Sequence, residues 1–343
     1  MLSWLFHAWE RRLAAVSKDR IVRPFEWGLE WLDAAGVTPD APPAEIVDAW
    51  SATVMQDSDA FYHAPPTRQY HFDGDRLTFP SALTTPHEEN NTVHARLFPA
   101  LSGAARGRAA ESKRAVLVLP QWNADADGHV GLARLLSRFG ISALRLSLPY
   151  HDARMPPELT RADYIVSSNI VRTAQVCRQA VLDARRAIAW LASQGYERIG
   201  ILGTSLGSCL AMLTAAHEPL IRAAALNHIS PYFADVVWEG LSTAHVRQGL
   251  DGHIDLEGLR RMWLPISPFP FLDRVKDRKV LLVYARYDLS FPVRLSRMLV
   301  DEFSARGVDH EVAVLPCGHY STGVAPFSWM DGYVLVRFLR KSL

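Results

Sequence analysis

The sequence predicts an α/β protein: a mostly parallel sheet with helices on both faces, a helical cap insertion and a helical N-terminal extension. Three observations carry this. From residue 115 onward, short apolar runs alternate with helix-length amphipathic runs. The runs "AVLVLP", "RIGILG" and "KVLLVYAR" are apolar almost throughout, which suits strands buried on both faces. The chain has 343 residues, 49% hydrophobic and 21% charged, enough for a sizeable core.

Residues 1–65 read as the extension, helical with Pro-rich breaks such as "TPDAPPAE". Its start, "MLSWLFHAWERRLAAVSKDR", has no positive region before the apolar residues, and Glu10, Arg11 and Arg12 interrupt them. A secretory signal is not expected. Leu2, Leu5, Phe6, Trp9, Leu13 and Val16 share one helical face. Two readings stand: a helix packed on the domain surface, or an interfacial helix in peripheral contact with membrane or lipid.

Residues 66–343 form the main domain. "RQYHFDGDRLTFPS" and "NNTVHARLFPA" read as two strands joined by a polar loop, and "LSGAARGRAAESKR" as an exposed connection. Then come the strand "AVLVLP", the helix "HVGLARLLSRFG" with Gly140 as its C-cap, and the strand "ISALRLSLP". A long helix is expected over "DYIVSSNIVRTAQVCRQAVLDARRAIAWLASQG", followed by the strand "RIGILG", the helix "LGSCLAMLTAAH" and the strand "IRAAALNHIS". Residues 231–275 break the alternation with helical, large apolar sequence, read as a lid over the carboxyl ends of the strands. "KVLLVYAR", "PVRLSRMLVDEFSARG", "HEVAVLP" and "SWMDGYVLVRFLRK" close the chain as strand, helix, strand and helix.

The net charge of +1 favours neither nucleic acid nor an anionic surface. Three cysteines, Cys177, Cys209 and Cys317, make no disulfide framework and fit reduced thiols in a cytoplasmic protein. No apolar run is long enough to cross a bilayer. No phosphate loop, dinucleotide fingerprint or metal-ligand spacing occurs, so neither a cofactor nor a metal is expected. His129, His151, His228 and His253 read as surface, cap or buried hydrogen-bonding residues.

The chemistry centres on Gly203-Thr204-Ser205-Leu206-Gly207, a G-x-S-x-G between a strand and a helix. A turn that sharp strains the serine, and glycines two residues to either side relieve the clash. A serine hydroxyl needs a base to become a nucleophile. Asp288 follows the strand ending near Ala285, and His319 follows the strand ending near Leu315. Serine, acid and histidine thus occur in the order a nucleophile elbow requires, each past the end of a strand. His319 would take the Ser205 proton, and Asp288 would orient the imidazole. For an oxyanion hole, one donor is the backbone N–H of Leu206. The second belongs to "QWNADADGH", from Trp122 or Gln121, with Trp122 preferred. Asp125 and Asp127 in that loop read as solvated groups.

From about residue 65 to its end, the chain resembles the α/β-hydrolase superfamily, on "GTSLG", "YARYDLSFP" and "CGHYS" in that order. More closely it looks like the branch of abhydrolase domain-containing protein 18, on "SLPYHDARMP", the long helix before "RIGILGTSLGS", "DLSFP" and "GHYS". The resemblance implies Ser205 as nucleophile, Asp288 as acid and His319 as base. The usual His-Gly of the oxyanion loop is absent, and Pro120-Gln121 stands there. The expected activity is hydrolysis of a carboxylic ester, small-molecule or lipid-like, through an acyl-enzyme. Amide or thioester cleavage, acyl transfer, and a non-catalytic binding protein on the same fold are the alternatives.

Overall fold

The computed structural model describes residues 2–32, 41–101 and 113–343. Most of the polar connection at 101–114 and part of "TPDAPPAE" lie outside the described residues. Among the described residues nine strands form one sheet: β1 (His71–Asp73), β2 (Arg76–Pro80), β3 (Thr92–Phe98), β4 (Arg114–Leu119), β5 (Ser142–Leu146), β6 (Arg198–Thr204), β7 (Ile221–Asn227), β8 (Lys279–Ala285) and β9 (His310–Leu315). Their order is β1-β2-β3-β5-β4-β6-β7-β8-β9. The pairs among β1, β2, β3 and β5 are antiparallel, and all from β5 to β9 are parallel.

The apolar strands are explained by two cores, one on each face. Along β4, Ala115, Leu117 and Leu119 enter the larger core, and Val116 and Val118 enter the other. Period-2 alternation is present but hidden, because both faces are dry. The larger core holds α5 (Ile170–Ser193) and α6 (Leu206–His217). The opposite core holds α4 (Val130–Arg138) and α11 (Phe327–Ser342). α10 (Val293–Ala305) joins β8 to β9.

Two boundaries differ from expectation. "RQYHFDGDRLTFPS" is itself a hairpin, with Asp73 opposite Arg76 and Gly74 at φ 59° in the two-residue turn. α5 starts at Ile170, later than expected, because the Asn169 side chain accepts the Arg172 N–H at 2.9 Å and caps the helix.

The N-terminal residues fold over this body as α1 (Leu2–Ala14), α2 (Pro43–Gln56) and α3 (Ser58–Phe61). Ile46, Val47, Val54, Phe61 and Tyr62 share the larger core. Between positions 231 and 275 lie α7 (Phe233–Glu239), α8 (Ala244–Leu250) and α9 (Leu256–Met262). Trp263, wholly buried, ties this segment to the start of α5 through its Nε1–H and the Ile170 carbonyl, at 3.0 Å.

α1 buries only part of the apolar face that the sequence offers. Leu2, Leu5 and Val16 are exposed, Phe6 and Trp9 are partly covered, and Glu10 is fully buried. Among the described residues no helix is long and apolar enough to cross a membrane.

Candidate active site

β6 ends at Thr204 and α6 begins at Leu206, so one residue makes the turn. That residue, Ser205, sits at φ 56°, ψ −121°, a strained backbone for a side chain other than glycine. Its neighbours hold the strain in place. The Ser205 N–H bonds the Asn227 carbonyl at 2.8 Å. The Ser208 hydroxyl donates to the Ser205 carbonyl at 2.6 Å. The two flanking glycines are required for different reasons. A Cβ on Gly203 would overlap the Gly207 carbonyl, within the turn itself. A Cβ on Gly207 would overlap the carbonyls of Leu119 and Pro120, at the end of β4.

The second close approach places the residues after β4 beside the start of α6. The Leu206 N–H is the first of the helix, one of the donors that a helix leaves without an internal acceptor. Across from it, the Asn123 N–H is taken by His151 Nε2 at 2.9 Å. Trp122 is fixed by its Nε1–H to the Ala162 carbonyl at 2.8 Å, with His245 stacked on one side and Arg161 over the ring. Arg145, nearly buried, holds the rest of the loop through the carbonyls of Gly128 and Asp125 and the carboxylate of Asp152. Asp125 and Asp127 are exposed, and Asp125 caps a turn by accepting the Gly128 N–H at 2.8 Å.

Asp288 lies past β8 and is buried. Its Oδ1 accepts the N–H groups of Ser290 (2.8 Å) and Phe291 (2.7 Å). Its Oδ2 lies 3.0 Å from His319 Nδ1 and 2.9 Å from His228 Nδ1. Burial alone would push this carboxyl up; the two rings outweigh burial and hold it well below the usual carboxylate range. The same three side chains bring metal-ligand types of atom within 4.8 Å of one another. Hydrogen bonding already accounts for them, with one carboxylate accepting from two imidazoles.

His319 lies past β9, its side chain 13% exposed. Burial would lower its pKa, but Asp288 and then Glu10 outweigh burial and raise it. His228 is wholly buried and goes the other way, kept neutral by burial. With Nδ1–H given to Asp288, its Nε2 has no hydrogen-bond partner among the described residues.

Ser205 and His319 line one cavity of about 780 Å³, with Gln121, Trp122, His228 and Asp331. Asp331 has its carboxyl pushed up to about 7 by burial, against the Asn227 amide that bonds both of its oxygens. A smaller apolar recess also reaches Ser205, lined by Leu206, Phe233, Val236, Val237 and Phe291.

No protein-family model matches the sequence, and no curated protein matches it. Solved structures do. An acetyl xylan esterase from Paenibacillus sp. R4 is similar with a TM-score of 0.64 at 14% identity, over 85% of this chain and 94% of that one. An esterase of Pyrococcus furiosus gives 0.53 at 16% identity, over 80% and 91%. Pyrococcus horikoshii acylaminoacyl peptidase gives 0.62 at 14% identity, over 80% of this chain but only 42% of that one. The chain thus spans less than half the length of that peptidase. The fold is that of the α/β-hydrolases.

Within this hydrolase fold, the expected site residues fall as follows. Asp288 and His319 are hydrogen-bonded, Ser205 and His319 face one cavity, and Leu206 and Trp122 flank Ser205. Four residues at or beside this cavity carry no site signal of their own along the chain. His228 was one buried histidine among several; only the pairing of β7 with β8 shows that it reaches Asp288. His151 holds the loop after β4. Asp331 lies in the closing helix with no local signal to mark it. Glu10 looked like an interruption of an apolar face, yet it touches the His319 loop. Glu10 stands beside Arg11 and Arg12, so the sequence carries no signal that separates it from them.

Proposed function

We propose that the protein is a serine hydrolase that cleaves a carboxylic ester through an acyl-enzyme. The observation that supports this most is the strained Ser205, sharing a cavity with a histidine whose Nδ1 is held by a buried carboxylate. Ser205 Oγ attacks the ester carbonyl while its proton passes to His319 Nε2. The oxyanion is met by the N–H of Leu206 and that of Trp122. His319 returns the proton to the leaving alcohol, then activates water to free the acid. Asp288 fixes the tautomer that leaves Nε2 open as the base and stabilises the imidazolium.

The two cavities divide the substrate in this reading. The acyl group enters the apolar recess beneath α7, and the alcohol part occupies the larger cavity, which Arg20, Arg161, Asn227 and Asp331 make the more polar of the two. Two of the similar structures are named as esterases, which fits an ester substrate. The third is named as a peptidase, and amide cleavage uses the same groups. The closer kinship, to the abhydrolase domain-containing protein 18 branch, rests on the sequence "SLPYHDARMP" itself, whose side chains brace the loop after β4 and the long helix. There His151 pins Asn123, Asp152 pairs with Arg145, and Arg154 pairs with Asp183. Buried free thiols fit a cytoplasmic setting.

A fluorophosphonate probe tests the proposal. Wild type becomes labelled and Ser205→Ala does not; equal labelling of both, or none of wild type, leaves a binding protein as the better reading. Exposed Trp4 and Leu5 on α1, and Trp329 on α11, favour a second reading in which the substrate is presented at a lipid surface. Cosedimentation of wild type with phospholipid vesicles, lost in a Trp4→Ala/Trp329→Ala variant, would support it.

A further inference from the structure

We infer that Glu10 is a positioning residue for His319, and that the N-terminal helix is a working part of the active site. This rests on the serine-hydrolase reading. The Glu10 side chain is fully buried and takes three hydrogen bonds. Its Oε2 accepts the Tyr320 N–H at 2.8 Å. Its Oε1 accepts the Ser321 N–H at 2.9 Å and the Ser321 hydroxyl at 2.7 Å. Burying a carboxylate is costly unless donors saturate it. Among the described residues no cation pairs with it, so the loop's own N–H groups perform that task.

These bonds bracket the catalytic histidine. Tyr320 follows His319 directly. Ser321 Oγ also accepts the Gly318 N–H at 2.8 Å, which passes the restraint to the residue before His319. Gly318 admits the carboxylate, since a Cβ there would lie 2.6 Å from Glu10 Oε1. The same helix reaches the acid's side as well. Phe6 stacks on Tyr287, the residue before Asp288, with ring centroids 4.5 Å apart and planes 9° apart. Just beyond the helix, Arg20 donates to the Tyr320 hydroxyl at 2.8 Å. One segment therefore grips the neighbours of both the base and the acid.

The charge contributes as well as the bonds. When the Ser205 proton moves to His319, an imidazolium forms, and a second carboxylate beside it favours that state. The groups around His319 are Asp288 past β8, His228 past β7 (kept neutral by burial) and Glu10 from α1. Cys317 and Tyr320, with Arg20 on its hydroxyl, come from its own loop, and Asp331 of α11 lines the shared cavity. Among them Asp288 and Glu10 are the charges that raise the His319 pKa.

The test uses the full chain and a fluorophosphonate, whose phosphorus Ser205 Oγ attacks with loss of fluoride. Labelling of wild type but not Ser205→Ala first secures the parent reading. Glu10→Gln keeps the shape, removes the charge and presents one oxygen where two are needed. Its labelling rate at the alkaline plateau should fall about tenfold or more, as a displaced base implies. Its acidic limb should move to lower pH by roughly 0.5–1.5 units, the span Coulomb's law gives for one charge several ångströms away. Glu10→Asp keeps the charge on a shorter stem, so its plateau should fall while its limb stays with wild type. Histidine NMR titration, assigned with His319→Gln, reads the same pKa without turnover, so it stands even if no labelling occurs. An unmoved limb and unmoved His319 titration in a folded Glu10→Gln would overturn the inference, whatever its rate. Should Glu10→Gln not fold, wild-type labelling of Glu10→Asp would overturn it.

Discussion

Replacing Asp288 by asparagine should leave the protein folded and nearly inactive, and the four bonds to this side chain show why. Two of its donors, the N–H groups of Ser290 and Phe291, are backbone and cannot change. They fix the asparagine oxygen at the Oδ1 position. The amide NH2 then faces the Nδ1 atoms of His319 and His228, where Oδ2 now sits. An imidazole can answer by moving its proton to Nε2. All four positions stay matched, but His319 now carries a proton on the nitrogen that should accept one from Ser205. A wrong tautomer of this kind costs about 10⁴ in rate, or about 5 kcal/mol of barrier. Stability should fall by only about 1–3 kcal/mol, the loss in exchanging charge-assisted for neutral hydrogen bonds. Asp288→Ala should be clearly less stable than Asp288→Asn, since it leaves the Ser290 and Phe291 N–H groups without their acceptor. Thermal melts and fluorophosphonate labelling rates at pH 8 measure both. A folded Asp288→Asn labelled within tenfold of wild type would refute this account, because the tautomer would then not be set by Asp288.

Gly207→Ala should lower stability by about 3 kcal/mol and abolish labelling, because its Cβ would meet two carbonyls at the end of β4 that have nowhere to move; an unchanged melt with wild-type labelling would sink that argument. Stability should also depend on pH through His151. Burial lowers its pKa from 6.5 to about 4, so it is neutral when folded and its contribution is complete above pH 6.5. As pH falls from 6.5 towards 4, that contribution is lost at about 1.4 kcal/mol per unit, or about 2 kcal/mol by pH 5. His151→Gln can both donate and accept without titrating, so its melting temperature should fall less between pH 7 and pH 5; parallel curves for the two proteins would contradict this.

Much of the site was legible along the chain because its geometry is local. Gly203, Ser205 and Gly207 mark the turn within five positions, even though Gly207 answers to Leu119 and Pro120 at the end of β4, and Asp288 and His319 announce themselves by following strands. The hairpin at Gly74 is legible too, in its Gly-Asp turn pair, although the expected single strand spans both of its arms. Periodicity holds for only part of the N-terminal helix: Phe6 and Trp9 pack inward, but Leu2, Leu5 and, just beyond it, Val16 face outward and Glu10 faces in. An apolar stripe shows where burial would be favourable, but it carries no information on what lies opposite. Here the opposite surface is a loop with free N–H groups, and a carboxylate satisfies those better than leucine can.

The sequence by itself determined the alternation of strands and helices, the elbow at Ser205, and the order of the proposed nucleophile, acid and base. Each can be read from short local stretches, taken in their order along the chain. Only the tertiary structure decided that His228 shares Asp288 with His319, that His151 holds the loop after β4, and that Glu10 grips the loop of His319. Those contacts join residues 28 to 311 positions apart, and their chemistry exists only once the sheet register has brought the strand ends together.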